Sequence, residues 1–152
     1  MRFRALVATG GTRARQSEGV AMSKLVVIID DSATVRKIVE VSLRRIGIAC
    51  LGYTDGVEAL RELAKHKEIV PDLVLLDIGL PKMDGYRVAQ LLRARPAYQE
   101  TVIVMLSGRD GMLDRLKGRL SGARTYLAKP FKTQELLEVI ISHLGMSVLL
   151  PS

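Results

Sequence analysis

The chain has 152 residues, enough for one domain with its own apolar core and too few for two ordinary ones. Apolar residues make up 48% and charged residues 26%, which excludes a disordered chain, and apolar runs of about five residues exclude a membrane-spanning helix. Lys and Arg number 23 against 16 Asp and Glu, a net +7 that invites a nucleic-acid or acidic partner; the one cysteine, Cys50, permits no internal disulfide and fits a reducing compartment.

Residues 1–21 carry four arginines against Glu18, supplying +3 of the +7. Their apolar stretch Ala5–Ala8 is shorter than the ~7–15 residues of a signal-peptide core. A transit peptide is also Arg-rich and acid-poor, but nothing here can bury a face. The segment reads as a disordered basic extension over 1–22, with Met22 as an alternative start.

From Lys24 onward strand and helix patterns alternate. Leu25–Ile29 is a continuous β-branched run, as expected of a strand covered on both faces. Val35, Ile38, Val39, Leu43 and Ile46 then recur at helical spacing, opened by Ser32 as N-cap and closed by Gly47. Ile48–Tyr53 is a second strand. Thr54-Asp55-Gly56 starts a helix with Val57, Leu60, Leu63 and Ala64 on one face. Leu73–Leu76 is the third strand, and Asp84 caps a helix carrying Tyr86, Val88, Ala89, Leu91 and Leu92 that stops at Pro96. Thr101–Leu106 is the fourth strand, followed by a basic helix to about Leu120. Arg124–Ala128 and Thr133–Leu144 close the series as strand and helix. Five strands, each followed by a helix, predict an α/β domain with a parallel sheet and right-handed crossovers.

In such sheets ligands sit outside the carboxyl ends of the strands. Those ends carry Asp30-Asp31, Asp77, Ser107 and Lys129-Pro130. Under the order 2-1-3-4-5 they share one crevice at the rim, strands being ~4.8 Å apart. Three carboxylates together repel unless a cation sits among them. An oxygen-seeking ion such as Mg²⁺ fits, whereas His66, His143 and Cys50 lie away from the strand ends and argue against zinc. A phosphoryl group between that metal and the Lys129 and Ser107 side chains has its charge met on both flanks, and Asp77, central in the row, is the natural nucleophile.

These residues carry a resemblance. From Lys24 to about Leu144 the sequence resembles the receiver domain of bacterial response regulators, through Ile29-Asp30-Asp31-Ser32, Leu75–Gly85, Met105–Gly108 and Tyr126–Phe131. The resemblance implies a flavodoxin-like (βα)5 fold over residues 23–145, with 146–152 a short tail. It implies that Asp77 accepts a phosphoryl group from a sensor histidine kinase or phosphotransfer protein. Asp31, Asp77 and the Gly79 backbone carbonyl would ligate Mg²⁺, with Asp30 acting mainly through water. Lys129 would pair with Asp77 at rest and with the phosphoryl afterwards. Ser107 would swing toward a phosphoryl oxygen and Tyr126 would move inward, while the Lys129–Pro130 bond would be cis. Gly79 stands where many relatives carry a larger side chain, and Ser107 where threonine is frequent.

The tract Ser107–Arg119 looks like that of single-domain regulators of twitching-motility and chemotaxis-like pathways, and would equally suit a phosphorelay intermediate. The expected protein is cytoplasmic and binds a downstream effector through its fourth-helix and fifth-strand face. A phosphorylation-dependent homodimer is among the implied assemblies; no membrane contact is expected.

Blander readings exist for each residue. Asp30 and Asp31 could be first-turn carboxylates of a helix, Asp77 a turn cap, Lys129-Pro130 a loop, Tyr126 packing, and Arg109–Arg119 a solvated helix. Four coincidences at four strand ends weigh against them jointly. A degenerate receiver used as a scaffold is an alternative. A small-molecule aspartyl-phosphate hydrolase would normally carry a second acid where Gly79 stands. A nucleic-acid binder would need recognition motifs and stacking aromatics, and aromatics are only 4%.

Overall fold

The computed structural model of the chain describes residues 24–108 and 112–146, and for residues 112–115 the backbone alone. The basic extension and its alternative start at Met22, the Arg109–Gly111 stretch and most of the expected tail lie outside the described residues. Five strands, β1 (Leu25–Ile29), β2 (Ala49–Tyr53), β3 (Leu73–Asp77), β4 (Val102–Ser107) and β5 (Thr125–Ala128), form one sheet in the order β2-β1-β3-β4-β5. All four pairings are parallel. Among the described residues the helices are α1 (Ala33–Arg45), α2 (Gly56–Lys65), α3 (Gly85–Arg93), α4 (Met112–Leu120) and α5 (Thr133–Leu144), with a 3₁₀ turn at Pro96–Tyr98.

Alternation along the strands makes two cores. Val26, Ile28, Leu73, Leu75, Val104 and Leu106 face α1 and α5, meeting Val39, Leu43, Leu136, Leu137 and Ile140. Val27, Ile29, Val74, Leu76, Ile103 and Met105 face the other way, onto Ala59 and Leu63 of α2 and Val88, Ala89 and Leu92 of α3. Each of these large side chains contributes roughly 1.5–3 kcal/mol relative to exposure. Both faces being covered explains why β1 and β3 read as unbroken apolar runs.

The helix starts follow local chemistry. Ser32, Asp55 and Asp84 each accept a backbone N–H of the first turn, from Val35, Glu58 and Arg87. The α1 helix ends where Gly47 takes the left-handed conformation, φ 79°, and donates to Arg44 O. Two residues depart from the expected apolar stripes: Ile38 is 43% exposed and Ala64 is exposed, whereas Ser42 is buried on α1. The Ser42 hydroxyl reaches the Ile38 carbonyl at 2.7 Å, so a serine enters the core without an orphaned polar group.

Candidate functional site

Strand register brings the polar strand ends together. Ile29 lies opposite Leu76, and Asp77 lies opposite Leu106. Asp30, the residue after β1, is therefore level with Asp77, the last residue of β3. Ser107 lies opposite Ala128, so Lys129 follows one step beyond. Both β3 and β4 run one residue further than their apolar stretches, because the ladder continues through the Asp77 and Ser107 backbones.

Carboxylate oxygens of Asp30, Asp31 and Asp77 all lie within 4.8 Å of one another. Asp30 is fully buried, Asp77 and Ser107 are nearly so, and only Asp31 is exposed. The crevice is thus deeper than a surface rim. Lys129 enters it from β5, its Nζ 2.7 Å from Asp30 Oδ2 and 3.6 Å from Asp77 Oδ1. Lys129 thus pairs with both carboxylates, Asp30 being the nearer and the Asp77 pair implied by the resemblance the longer of the two. The other Asp30 oxygen accepts the Ser32 N–H at 2.9 Å, so this residue also braces the start of α1. The Lys129 N–H donates to Ser107 O at 2.7 Å, and the Lys129–Pro130 peptide is cis.

These placements set the electrostatics. Burial, with the Asp30 charge behind it and Asp31 adding to it, pushes the Asp77 carboxyl above its ordinary value; Lys129 and the Gly79 N–H offset only part of this. Burial alone would lower Lys129, but the hydrogen bond and charge of Asp30, joined by Asp77, raise it. Three oxygen-only ligands facing one ammonium leave an excess of negative charge, the donor chemistry that suits Mg²⁺ rather than a softer metal.

The loop after β3 is shaped by backbone. Gly79 N–H donates to Asp77 Oδ1 at 3.2 Å, Ile78 N–H to Leu106 O at 3.0 Å, and Gly85 N–H to Ile78 O at 2.9 Å. A Cβ at Gly79 would meet nothing within 4 Å, so the nucleophile's flank is open there. At Gly85 a Cβ would collide with the Asp77 carbonyl oxygen. Lys82, in the left-handed conformation at φ 68°, places its ammonium 3.5 Å from Asp55 Oδ2.

Sequence reasoning missed Gly85 and Arg36. The former reads as an ordinary residue after a helix cap, although Asp-Gly following a candidate nucleophile is a signal of close backbone approach. The latter, on α1, donates from its guanidinium to Asp30 O at 2.7 Å, and nothing in its spacing marks it. Tyr126 is half-buried with its phenol oxygen out of solvent. It lines a cleft of about 200 Å³ with Met105, Gly118, Arg119, Arg124 and Thr125.

Residues 26–141 match the family described as the response regulator receiver domain. The chain belongs to that family. This receiver domain is 37% identical over 129 residues to protein PilG of Pseudomonas aeruginosa, covering 85% of the chain and 90% of PilG. It is 36% identical over 116 residues to the sensor histidine kinase CheAY of Helicobacter pylori, covering 76% of the chain but only 14% of that protein. Among solved structures, the chemotaxis response regulator CheY4 of Vibrio cholerae superposes with a TM-score of 0.74 at 29% identity, over 80% of this chain and 98% of that one. The flavodoxin-like fold expected from sequence is therefore the observed one. Among the described residues no helix is long and apolar enough to cross a membrane.

Proposed function

We propose that the chain is a single-domain response regulator whose Asp77 accepts a phosphoryl group, with Mg²⁺, from a histidine kinase or phosphotransfer protein. One observation carries this reading: the Asp77 carboxylate ends β3 among two further carboxylates, with the Lys129 ammonium 3.6 Å away. The match over 90% of PilG supports the single-domain part of it. A cytoplasmic site of action goes with a single buried cysteine, Cys50, which has no second cysteine in the chain to form a disulfide with.

In the transfer, an Asp77 carboxylate oxygen bonds the phosphorus as the P–N bond of a phosphohistidine breaks. The departing imidazole nitrogen keeps the electron pair and takes a proton from solvent. Asp30, Asp31, Asp77 and the Gly79 carbonyl would hold the Mg²⁺, which neutralises charge on the incoming phosphoryl when bound. Lys129 compensates charge from the β5 side, exchanging part of its hold on Asp30 for a phosphoryl oxygen. Ser107, at the end of β4, supplies a hydroxyl on that flank, and Tyr126 follows the Ser107 displacement. The product is an acyl phosphate on the protein itself, so no external substrate is turned over.

The new group favours one arrangement of the α4 and β5 face, to which a downstream protein binds differently. Exposed Leu116 and Leu120 on α4 give that face apolar surface. The test is incubation with acetyl phosphate and Mg²⁺, read by intact mass. One phosphoryl is expected on the parent and none on Asp77→Asn; an unmodified parent would leave a scaffold receiver.

A further inference from the structure

One side chain ties the carboxyl end of α4 to the body of the domain. Arg93, the last residue of α3, donates to four backbone carbonyls. One terminal nitrogen reaches Tyr98 O at 2.8 Å and Gln99 O at 3.2 Å. The other reaches Thr101 O at 2.8 Å and Gly122 O at 3.0 Å. The first three acceptors lead into β4; the fourth is the turn between α4 and β5. That turn continues the helix, with Ser121 N–H on Lys117 O at 3.0 Å and Ala123 N–H on Gly118 O at 2.8 Å. It then enters the sheet through Arg124 N–H on Ile103 O at 2.7 Å.

The fit around Gly122 is close as well as hydrogen-bonded. Its φ of 104° is a glycine conformation, and a Cβ there would stand 3.2 Å from Arg93 Nε and 3.3 Å from Cγ. A planar fork with several fixed donors can serve four carbonyls at once, which a lysine ammonium cannot. The α3 helix holds α4 at a second point, where Lys117 lies 5.7 Å from the centre of the Tyr86 ring. Gly118, on the inner side, faces Met105 of β4 closely enough that a Cβ would be 3.6 Å from Cγ.

We propose that Arg93 is the positioning residue of the switch: it pins the Ser121–Ala123 turn, so that α4 rearranges about a fixed carboxyl end when Asp77 is loaded. The proposal rests on the phosphoacceptor reading above. Arg93 reaches none of the site carboxylates and acts only through the turn. Its removal therefore redistributes the movement rather than preventing loading.

The experiment is amide NMR of the full chain, with and without Mg²⁺ and beryllofluoride as the phosphoryl mimic. In the parent, loading shifts amides at Asp77–Gly79, at Met105–Ser107 and in α4, while Ser121–Arg124 move little. In Arg93→Lys the shifts extend through Ser121–Arg124. A destabilised control of similar Tm, Leu63→Val on α2, keeps the parental pattern, which separates positioning from general loosening. The proposal is overturned if Ser121–Arg124 shift in the parent as much as Met105–Ser107, or if Arg93→Lys gives the parental pattern.

Should Asp77–Gly79 stay unshifted in the parent, the phosphoacceptor reading fails and the clamp is judged unloaded. Amide exchange at Gly122–Arg124 is then expected about tenfold faster in Arg93→Lys, and unchanged exchange rejects it. If Arg93→Lys does not fold, Gly122→Ala presses on the same guanidinium from the turn. It should reproduce the wider shift pattern, and a parental pattern there counts against the clamp.

Discussion

The two ends of the crevice are built on opposite principles. At the β1 and β3 end, like charges are buried together, and one lysine relieves them incompletely. At the β4 and β5 end the groups are a serine, a half-buried tyrosine and a basic helix whose Leu120 is 76% exposed. The first end stores electrostatic repulsion that a cation or a phosphoryl–metal pair can relieve. The second stores little, and α3 holds it at one turn through the Arg93 hydrogen bond to Gly122 O. A ligand bound at the charged end can therefore change the balance at the other through the Ser107 and Lys129 side chains between them.

The change expected to cost most removes the lysine. Lys129→Met leaves the fully buried Asp30 carboxylate without its 2.7 Å ammonium and Asp77 without its nearest cation. The loss should be roughly 1–3 kcal/mol, read as a lowered midpoint of thermal unfolding. Added Mg²⁺ should recover more stability in this variant than in the parent, because it supplies the missing positive charge. Equal recovery in both would mean that the two ends are not electrostatically different in the way described. Gly85→Ala comes next. Its Cβ must displace the Asp77 and Ile78 backbone, an overpacking cost of roughly 1–3 kcal/mol, and should slow phosphoryl uptake while leaving the α4 end unchanged.

Much of this difference is legible in the residues themselves. Unbroken apolar runs ended by Asp, Ser or Lys mark buried parallel strands whose polar termini face a shared crevice. The parallel sheet follows from that pattern, and under the order 2-1-3-4-5 so does the cluster of Asp30, Asp31, Asp77 and Lys129. The α3–α4 connection does not. Arg93 reads as one more charged residue before a proline, since its partners are carbonyls 5 to 29 residues away and side-chain spacing carries no signal of them. Ile38 and Ser42 exchange their expected places for a similar reason: a backbone acceptor satisfied the serine. Tyr98, just past the Pro96 at which the helical pattern stops, is buried in a 3₁₀ turn beneath the Arg95 guanidinium.

Asp77→Asn sharpens the comparison with a smaller effect of opposite sign. The folded protein holds the Asp77 carboxyl above its ordinary value, so the native state binds protons more tightly than the unfolded chain there. Stability from this group is fully present below the unfolded pKa of 3.8 and is lost as pH rises through the raised folded value. At neutral pH without metal, Asp77→Asn should therefore unfold at a higher temperature than the parent. Lys129 keeps Asp30 as a partner in this variant, so no charge is orphaned. The advantage should shrink as pH falls through the raised folded value and vanish below 3.8, where the parent protonates as well. Mg²⁺ should also narrow it by stabilising only the parent. An advantage independent of pH would assign the effect to packing instead.

The smallest expected effect concerns the lifetime of the acyl phosphate. A Cβ at Gly79 meets nothing within 4 Å, so a longer side chain can extend over the flank of Asp77 without strain. Hydrolysis requires a water molecule to approach the phosphorus in line with the breaking bond, and that approach runs past the open flank. Gly79→Met should lengthen retention of a phosphoryl on Asp77 by about three- to tenfold, which corresponds to ~0.7–1.4 kcal/mol in the hydrolytic barrier. The measurement is loss of the added mass with time after the donor is removed. Because the substitution touches neither Lys129 nor α4, uptake and thermal stability should stay near parental values. Retention that is equal or shorter in Gly79→Met would move the control of hydrolysis away from this flank, to groups on the β4 side of the crevice.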